Sequence, residues 1–575
     1  MARISAQAVA ASVLIMRERT ERMRPVLAFA HFMLPLCLVG ASAVSASAQE
    51  SYAPASPGQE RGGEGRERGS GRPEVQPYID ISQILLAELS PGNDVVTYTQ
   101  LAAGVNAAIT GRKNGGSVSL RYARNIAYEN DARGSDTLSG IARGYATVIP
   151  DAVTIEGGAL ASRTRLNGGG ASLLTGDAGS RVYTAYAGPN VHAEAGDVQI
   201  NANYRAGYTR VETDFGLPGT VRQADLFDES VVQTAAFHAA TRPGEPLPVG
   251  LGLGAGYTQE DISTFDQRVR DFHVRGDVTV PVSPTLAVVG GVGYENVEIS
   301  GRDVLLDDAG LLVVGEDGRL LADESGPRRI AYETDGLIWD VGVLWRPSTR
   351  TALEAHLGRR YDSTTYYGSF AWAPSSRSSL NISVYDAVTG FGGQLNRALV
   401  ALPTNFAANR NPLTGDITGC VASQQGSNCL SGALGSLRAA TFRNRGVAAS
   451  YSRQIGRLTA GVGAGYDRRN FFGTPGTILA TADGLVDENY YLTAFADGRL
   501  GPRDSYSVNT YVQWFESGGV GAGDGTILGA SAAYRRYLLA GLSARAAVAL
   551  DYLGSALAGQ DLTTASVLLG LRYDF

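Results

Sequence analysis

The sequence predicts an all-β fold, a transmembrane up-and-down antiparallel β-barrel of about 22 strands, within a range of about 18 to 22. Three observations predict it. The chain opens with an export signal. It continues in segments of about ten residues whose side chains alternate in polarity. The connections between those segments alternate between short and long.

The export signal comes first. Arg24 precedes an apolar run from Val26 to Val44, followed by Ala46-Ser47-Ala48, a small-x-small cleavage site. Residues 1–48 therefore read as a signal peptide, with Met16 and Met23 as alternative starts and Met23 giving the compact signal. Cys37 follows Leu36, where a lipoprotein signal wants a small residue, so lipidation is not expected. Residues 49–76 are rich in Gly, Pro, Glu and Arg and cannot bury a core; they read as a disordered periplasmic leader. The barrel is expected over 77–575.

Size and composition agree. At 575 residues the chain is too long for one ordinary soluble core, yet no shift in composition divides it after the leader. A closed sheet needs no solid core and escapes that ceiling. Gly is abundant at 73 residues, Tyr (27) outnumbers Phe (16), and Lys113 is the sole lysine. No apolar stretch beyond the signal is long enough for a membrane helix. A net charge of -7 offers no basic footprint, so nucleic acid is not an expected partner.

The strands follow in order, centred near residues 84, 104, 121, 143, 158, 185, 204, 236, 254, 276, 291, 341, 356, 369, 383, 449, 463, 495, 510, 532, 547 and 570; those near 158 and 185 carry the weakest signal. Between Val198 and Arg210, Val198, Ile200, Ala202, Tyr204, Ala206 and Tyr208 face one way and Gln199, Asn201, Asn203, Arg205 and Thr209 the other. Between Val249 and Tyr257, apolar residues alternate with four glycines, which suggests a tight or sparsely lined inner wall. Leu337, Trp339, Val341, Val343 and Trp345 oppose Asp340 and Arg346. The last strand, TASVLLGLRYDF, sets Val567, Leu569, Leu571, Tyr573 and Phe575 against Ser566, Gly570, Arg572 and Asp574, with Leu568 the apolar exception. It should pair with the strand beginning near Tyr78, leaving no open edge. Its terminal aromatics, Tyr573 and Phe575, read as the signal for the barrel-assembly machinery.

Short turns fall at 111–116, 150–152, 194–197, 281–285, 347–350, 374–377 and 455–457, and longer loops at 166–180, 214–229, 300–335, 389–444 and 470–488. Outer-membrane barrels have short periplasmic turns and longer outer loops. That pattern places the chain in the outer membrane of a Gram-negative bacterium, among lipid and lipopolysaccharide, with both termini periplasmic. Tyr78, Tyr98, Tyr257, Tyr294, Tyr451, Tyr466 and Tyr573 suit aromatic girdles.

The polar faces read as the lumen wall. Arg121, Arg143, Arg205, Arg275, Asp277, Asp340, Glu354, His356, Arg545, Asp551 and Arg572 lie opposite the apolar rows, since an Arg facing mid-bilayer would cost roughly 2–4 kcal/mol. Ion pairs that stiffen the wall are the ordinary reading of any one of them; an ion-selective or polymer-guiding lining is the functional one. Cys420 and Cys429, an even pair in an oxidising compartment, suggest a disulfide closing a small loop, with free thiols the alternative.

Other chemistries find little. No G-x-S-x-G, H-E-x-x-H or Walker A pattern occurs, and His192, His238, His273 and His356 have no local Ser/Asp signature, so no enzyme, cofactor or metal site is expected. Asp303, Asp307, Asp308, Glu316, Asp317, Asp323 and Glu324 crowd one loop, but their spacing fits no cation loop and a solvated acidic loop is the simpler reading. About 28 residues between cleavage and the first strand are too few for the plug that large transporter barrels hold. Any occlusion must come from loops, with 300–335 and 389–444 as candidates.

One segment supports a resemblance. GLIWDVGVLWRPSTRTALEAHLGRRYDSTTYYGSFAWAPSSRSSLNISVYDAVT, Gly336 to Thr389, has a Trp-bearing strand, a Pro-Ser turn, a strand ending Gly-x-Arg, a Tyr/Gly strand and a Ser-rich turn. It resembles the outer-membrane barrel proteins that accompany exosortase (PEP-CTERM) and exopolysaccharide loci. The segment VQPYIDISQILLAELSPGNDVVTYTQLAAGV is similar to sphingomonad-type members. Some of those carry an automatic label as a preprotein-translocase auxiliary subunit, a small single-span protein whose span nothing here provides. The resemblance implies a barrel in an envelope-export setting and carries over no functional residue. The expected function is a pore or export channel, with an exopolysaccharide export system as partner; a structural or surface-interaction barrel with a loop-occluded lumen is the alternative, and an outer-membrane hydrolase a third reading.

Overall fold

The computed structural model describes residues 73–575 except 112, 129–134, 165–179, 214–226, 245, 316–318, 423–427, 431–433, 435–436, 519–523 and 556–560. The expected signal peptide and most of the expected leader lie outside the described residues. Among the described residues twenty-five strands form, of which 22 join in one ring. The first run is β1 (Glu74–Ser90), β2 (Val95–Thr110), β3 (Asn114–Ala127), β4 (Asp136–Ile149), β5 (Val153–Thr164), β6 (Ser180–Ala195), β7 (Val198–Thr213) and β8 (Glu229–Thr241). There follow β9 (Gly250–Ile262), β10 (Gln267–Ser283), β11 (Leu286–Gly301), β12 (Arg329–Ser348), β13 (Thr351–Arg360), β14 (Ser363–Ser375) and β15 (Ser378–Thr389). A long loop then carries helix α1 (Phe391–Val400) and the short strands β16 (Ala407–Arg410), β17 (Ile417–Ala422) and β18 (Asn428–Cys429). The ring resumes with β19 (Phe442–Ile455), β20 (Leu458–Phe471), β21 (Val486–Arg499), β22 (Asp504–Ser517), β23 (Gly525–Tyr537), β24 (Leu542–Ser555) and β25 (Leu562–Asp574).

Each ring strand pairs antiparallel with the next, and β1 pairs with β25 from Tyr78↔Asp574 to Glu88↔Thr564. The ring has no edge, so every strand finds its backbone partners on both sides. That is what a sheet in hydrocarbon requires. All 22 expected strand centres fall inside ring strands. β1 starts at Glu74, ahead of the expected Pro77, and the loop expected at 300–335 contracts to 302–328.

The two faces separate as alternation demands. Ile79, Ile81 and Leu85 of β1, Leu337, Trp339 and Val341 of β12, and Leu569, Leu571 and Tyr573 of β25 are exposed on the outside. Asp80, Ser82, Asp340 and Arg572, interleaved with them, are buried inside. A continuous apolar belt around a closed ring with a polar inner face defines a transmembrane β-barrel of the outer-membrane type. Two expected girdle residues turn inward instead. Tyr78 is buried beneath the Arg572 guanidinium, 3.6 Å from its ring centroid, and Tyr98 packs beside Ile84. Both share the parity of lumen residues on their strands, and parity outranks an aromatic's preference for the interface.

Connections also separate by rim. The rim bearing the C-terminus has turns at 150–152, 196–197, 284–285, 349–350, 376–377 and 456–457. The opposite rim carries 302–328, 390–441 and 472–485. Alternation is not strict: 91–94, 263–266 and 361–362 are short on the loop rim, and 242–249 is the longest on the other.

Candidate functional site

The lumen is crossed by the loop between β15 and β19. Its first element is α1, which the sequence encodes at i, i+4, i+8 spacing: Phe391, Leu395 and Leu399 lie on one face and are fully buried. They pack on Ile141, Leu160, Val182, Tyr186, Val211 and Ile262, inward residues of β4 to β9. The polar face is held too. Asn396 Nδ2 donates to Thr209 Oγ1 at 3.0 Å, and Gln394 Nε2 to Asp467 Oδ2 of β20 at 2.9 Å.

The N-cap residue of α1, Gly390, has no side chain to cap the helix. Glu260 of β9 does that work from the barrel wall. Its carboxylate accepts the Gly390 N–H at 2.7 Å, the Gly393 N–H at 2.9 Å, the Thr389 hydroxyl at 3.1 Å and the Ser230 hydroxyl at 3.2 Å. A carboxylate on the first-turn N–H groups satisfies orphan donors and meets the positive end of the helix dipole. Space for this contact exists because Gly392 has no side chain: a Cβ there would run into Ser230 and Glu260.

Beyond the helix the loop reaches the wall opposite its own base. Phe406 N–H donates to Ser117 Oγ of β3 at 3.2 Å. Arg410 fans over β3 and β4, donating to Ser139 Oγ at 2.7 Å, Ser119 O at 2.9 Å and the loop's own Gly415 O at 2.7 Å. Leu413 caps an inward apolar patch of Ile84, Ala547, Ala549 and Leu568. Leu568, the exception in the last strand's polar row, is thus a docking point for the loop. Pro412 O accepts from Arg545 Nη2 at 3.2 Å. Asp416 pairs with Arg163 at 3.5 Å.

The loop rim is roofed as well. Phe265, Val304 and Leu479, from three separate connections, form one buried cluster. Arg302 Nε donates to Asp266 at 2.7 Å, Arg329 to Gly476 O at 2.7 Å, and Arg319 pairs with Asp228 at 3.1 Å. Asp307 and Asp323 of the acidic loop accept their own turn N–H groups, as in Asx turns.

The expected lumen residues all face inward, and most meet in ion pairs. Arg275 forks onto Asp340 at 2.6 and 2.8 Å and touches Asp277 at 3.1 Å. His356 lies 2.8 Å from Asp340 and 3.3 Å from Glu354, with Tyr367 stacked on it at 4.6 Å. Arg205 and Arg143 share Glu156 at 2.6 and 3.5 Å. Arg545 and Arg121 share Asp80 at 2.6 and 3.9 Å. Arg572 Nε donates to Asp574 at 2.7 Å, and Asp551 accepts from Tyr511 at 3.1 Å. The mid-strand glycines of β9 make room for such contacts: Gly252 is the cross-strand partner of Asp277, whose carboxylate fills the space a Cβ would take. Glu260, Arg410, Asp80 and Arg535 were not singled out by sequence. Cys420 and Cys429 are cross-strand partners in β17 and β18; their side chains lie outside the described residues.

No protein-family model matches the chain, and no curated protein matches it. Similar solved structures include the FrpB iron transporter from Neisseria meningitidis, F3-3 variant, at 14% identity over 87% of this chain and 81% of that one, TM-score 0.40. They also include the siderophore receptor PiuA from Acinetobacter baumannii, at 8% identity over 86% and 82%, TM-score 0.38. A third is the ferric-catecholate import receptor Fiu from E. coli K12, open form, at 9% identity over 86% and 81%, TM-score 0.38. Likenesses this distant carry no function across.

Proposed function

We propose that the protein is an outer-membrane channel, a pore or export conduit, held shut at rest by its own loop. The path of residues 390–441 carries this reading. Its part from 391 to 417 crosses the lumen and docks on the far wall, yet Thr389 and Phe442 at the base of the loop are cross-strand partners. The ring is complete without the loop. A segment that closure does not need, filling the space a solute would use, is a gate.

Short connections on the rim bearing the C-terminus support periplasmic termini, with the roofed rim facing outward among lipopolysaccharide. The last strand is the contact for the assembly machinery, through Tyr573 and Phe575. The resemblance to barrels of exopolysaccharide loci supports export of an envelope polymer. No enzymatic step, metal or nucleic acid enters this reading. Opposed residues in an antiparallel ladder are roughly 4.5–5.5 Å apart at Cα, within disulfide reach, so Cys420 and Cys429 are proposed to bond and stiffen the loop. Counting free thiols in the denatured, unreduced protein tests this: two reactive thiols would refute it.

Planar-bilayer recording tests the gate. The intact protein should conduct rarely, and a variant with 390–441 replaced by a short turn should conduct steadily. Silence of that variant, with heat-modifiable gel mobility intact, would sink the channel reading. The packed roof of Phe265, Val304 and Leu479 favours a second reading, a structural barrel that presents its loops to a partner. Under that reading trimming abolishes surface binding and opens nothing.

A further inference from the structure

Arginines gather on the inner wall where the ring closes, and carboxylates do not match them. Arg535 and Arg545 are direct cross-strand partners on the inward face of β23 and β24. Like charges so placed repel unless something between them is negative. Arg572, Arg121 and Arg410 continue the tract across β25 and β3 and onto the loop. Among the described residues, Asp80, shared by Arg545 and Arg121, and Asp574, held by Arg572, stand against these five guanidiniums. Asp416 of the loop is engaged by Arg163. Arg121 is buried, and its Nε has no acceptor. Arg410 meets serine hydroxyls and carbonyls and no carboxylate. Burial, with Arg121 and Arg572 adding to it, pushes the Arg410 guanidinium down to about 10, so it remains a cation at neutral pH. The wall of β10 to β13 has the opposite balance, with Asp277 and Asp340 around Arg275 and Glu354 beside His356.

The loop lies on this tract with neutral oxygens. Pro412 O accepts a hydrogen bond from Arg545 and Gly415 O one from Arg410. Gly415, at φ +74, presses its backbone so close to Arg121 that a Cβ would lie 2.5 Å from Nε. These carbonyls sit where stronger, charged acceptors would fit.

We propose that the wall tract Arg535–Arg545–Arg572–Arg121 is a binding track for solutes carrying oxyanion groups, carboxylate or phosphate, and that the carbonyls of residues 411–415 occupy it as an uncharged stand-in, with Arg410 beside them on the loop. Guanidinium forks bind both groups bidentately and more strongly than they bind a carbonyl. An oxyanion solute therefore competes with the loop for the same donors. The proposal rests on the channel reading for its route of access and adds to it the chemistry of the cargo.

The test uses calorimetry and reversal potentials on the full chain, the loop-trimmed variant, and that variant carrying Arg121→Ala and Arg545→Ala. Polygalacturonate and polyphosphate are the charged probes and dextran the neutral one. The trimmed barrel should bind a charged probe about tenfold or more tightly than the intact chain, and the double substitution should remove at least that gain. Polygalacturonate and polyphosphate, compared, separate the carboxylate from the phosphate source. The trimmed barrel should also be anion-selective, with binding that weakens as salt rises. Equal binding of dextran, cation selectivity, or unchanged binding in the double variant overturns the proposal. Conductance without anion preference would defeat this proposal and leave the channel reading; tight polyanion binding without conductance would do the reverse. If the trimmed chain fails to fold, full-length Glu260→Ala with Leu413→Ala releases the loop and takes its place.

Discussion

Replacing Glu260 with Ala should release the loop while leaving the barrel standing. The carboxylate serves four donors, of which the Gly390 and Gly393 N–H groups have no other partner in the helix. Each buried donor left unpaired costs about 1–3 kcal/mol, which gives roughly 2–6 kcal/mol for the two. Part is returned because a desolvated carboxylate is also removed, so a net loss of about 2–3 kcal/mol in docking is the reasoned value. At 1.4 kcal/mol per tenfold, the undocked fraction should rise about 30- to 150-fold. Trypsin reads this directly, because Arg397, Arg410 and Arg438 lie in the loop and cleavage of a briefly opened segment follows its population. Cuts in reconstituted Glu260→Ala should appear faster by that factor, with the heat-modifiable gel shift of the barrel unchanged. Glu260→Gln should fall between, keeping one acceptor and turning an amide N–H₂ on the remaining donors. An increase below about threefold, some 0.6 kcal/mol, would refute the assignment of Glu260 as the loop's anchor.

Other perturbations test other joints. Leu413→Ala empties the contact with Ile84 and Leu568 and should weaken docking by about 2–4 kcal/mol, again read by trypsin; because it lies on the far wall from Glu260, the two effects should add. Arg275→Met strips the fork from Asp340, which keeps only His356 and Tyr367 near it, and should lower barrel stability by about 3 kcal/mol in urea unfolding. Removing Phe575 deletes one N–H bond to Pro77 O, 3.0 Å, and a ring contact with Tyr573, so folded stability should barely change. Its abundance in the outer membrane should nonetheless drop sharply in cells; unchanged abundance would remove the assembly role of the last strand.

How far the sequence could be read depended on which face a residue served. Every ring strand was legible because lipid imposes a strict period of two on the outer face, as Leu337, Trp339 and Val341 show. The weak signals near 158 and 185 have a cause in the packing. Leu160, Val182 and Tyr186 point inward, where α1 lies on them, so the inward rows of β5 and β6 mix apolar residues with Glu156, Ser162 and Thr184 and the alternation is blurred. α1 itself was hidden in a loop, though Phe391, Leu395 and Leu399 spell a helical stripe. The inward charges could be named but not paired. Arg275 reaches Asp340 across an intervening strand, over Gly291, which is the register partner of both Asp277 and Asp340; only register reveals that. Glu260 escaped notice because its partners are backbone donors far along the chain.

The wall and the loop are held by different kinds of contact, and that difference makes a gate plausible on energetic grounds. Wall residues answer one another: Arg275 with Asp340, Arg205 with Glu156, Arg545 with Asp80. Those pairs survive if the loop leaves. The loop holds the wall mainly through two apolar patches, around Leu395 and Leu413, and through neutral acceptors. Undocking it therefore strands few charges. Glu260 would lose its backbone donors, the Arg163–Asp416 and Arg438–Asp487 pairs would part, and Arg410 would leave its serines. Each of those groups is then free to hydrate or to meet an ion. A plug tied down by buried ion pairs would resist release by several kcal/mol per pair. This one is joined to the wall by the Arg163–Asp416 and Arg438–Asp487 pairs, and its remaining contacts are burial and neutral acceptors that a competing solute can replace piecemeal, first at the arginines and then along the apolar face.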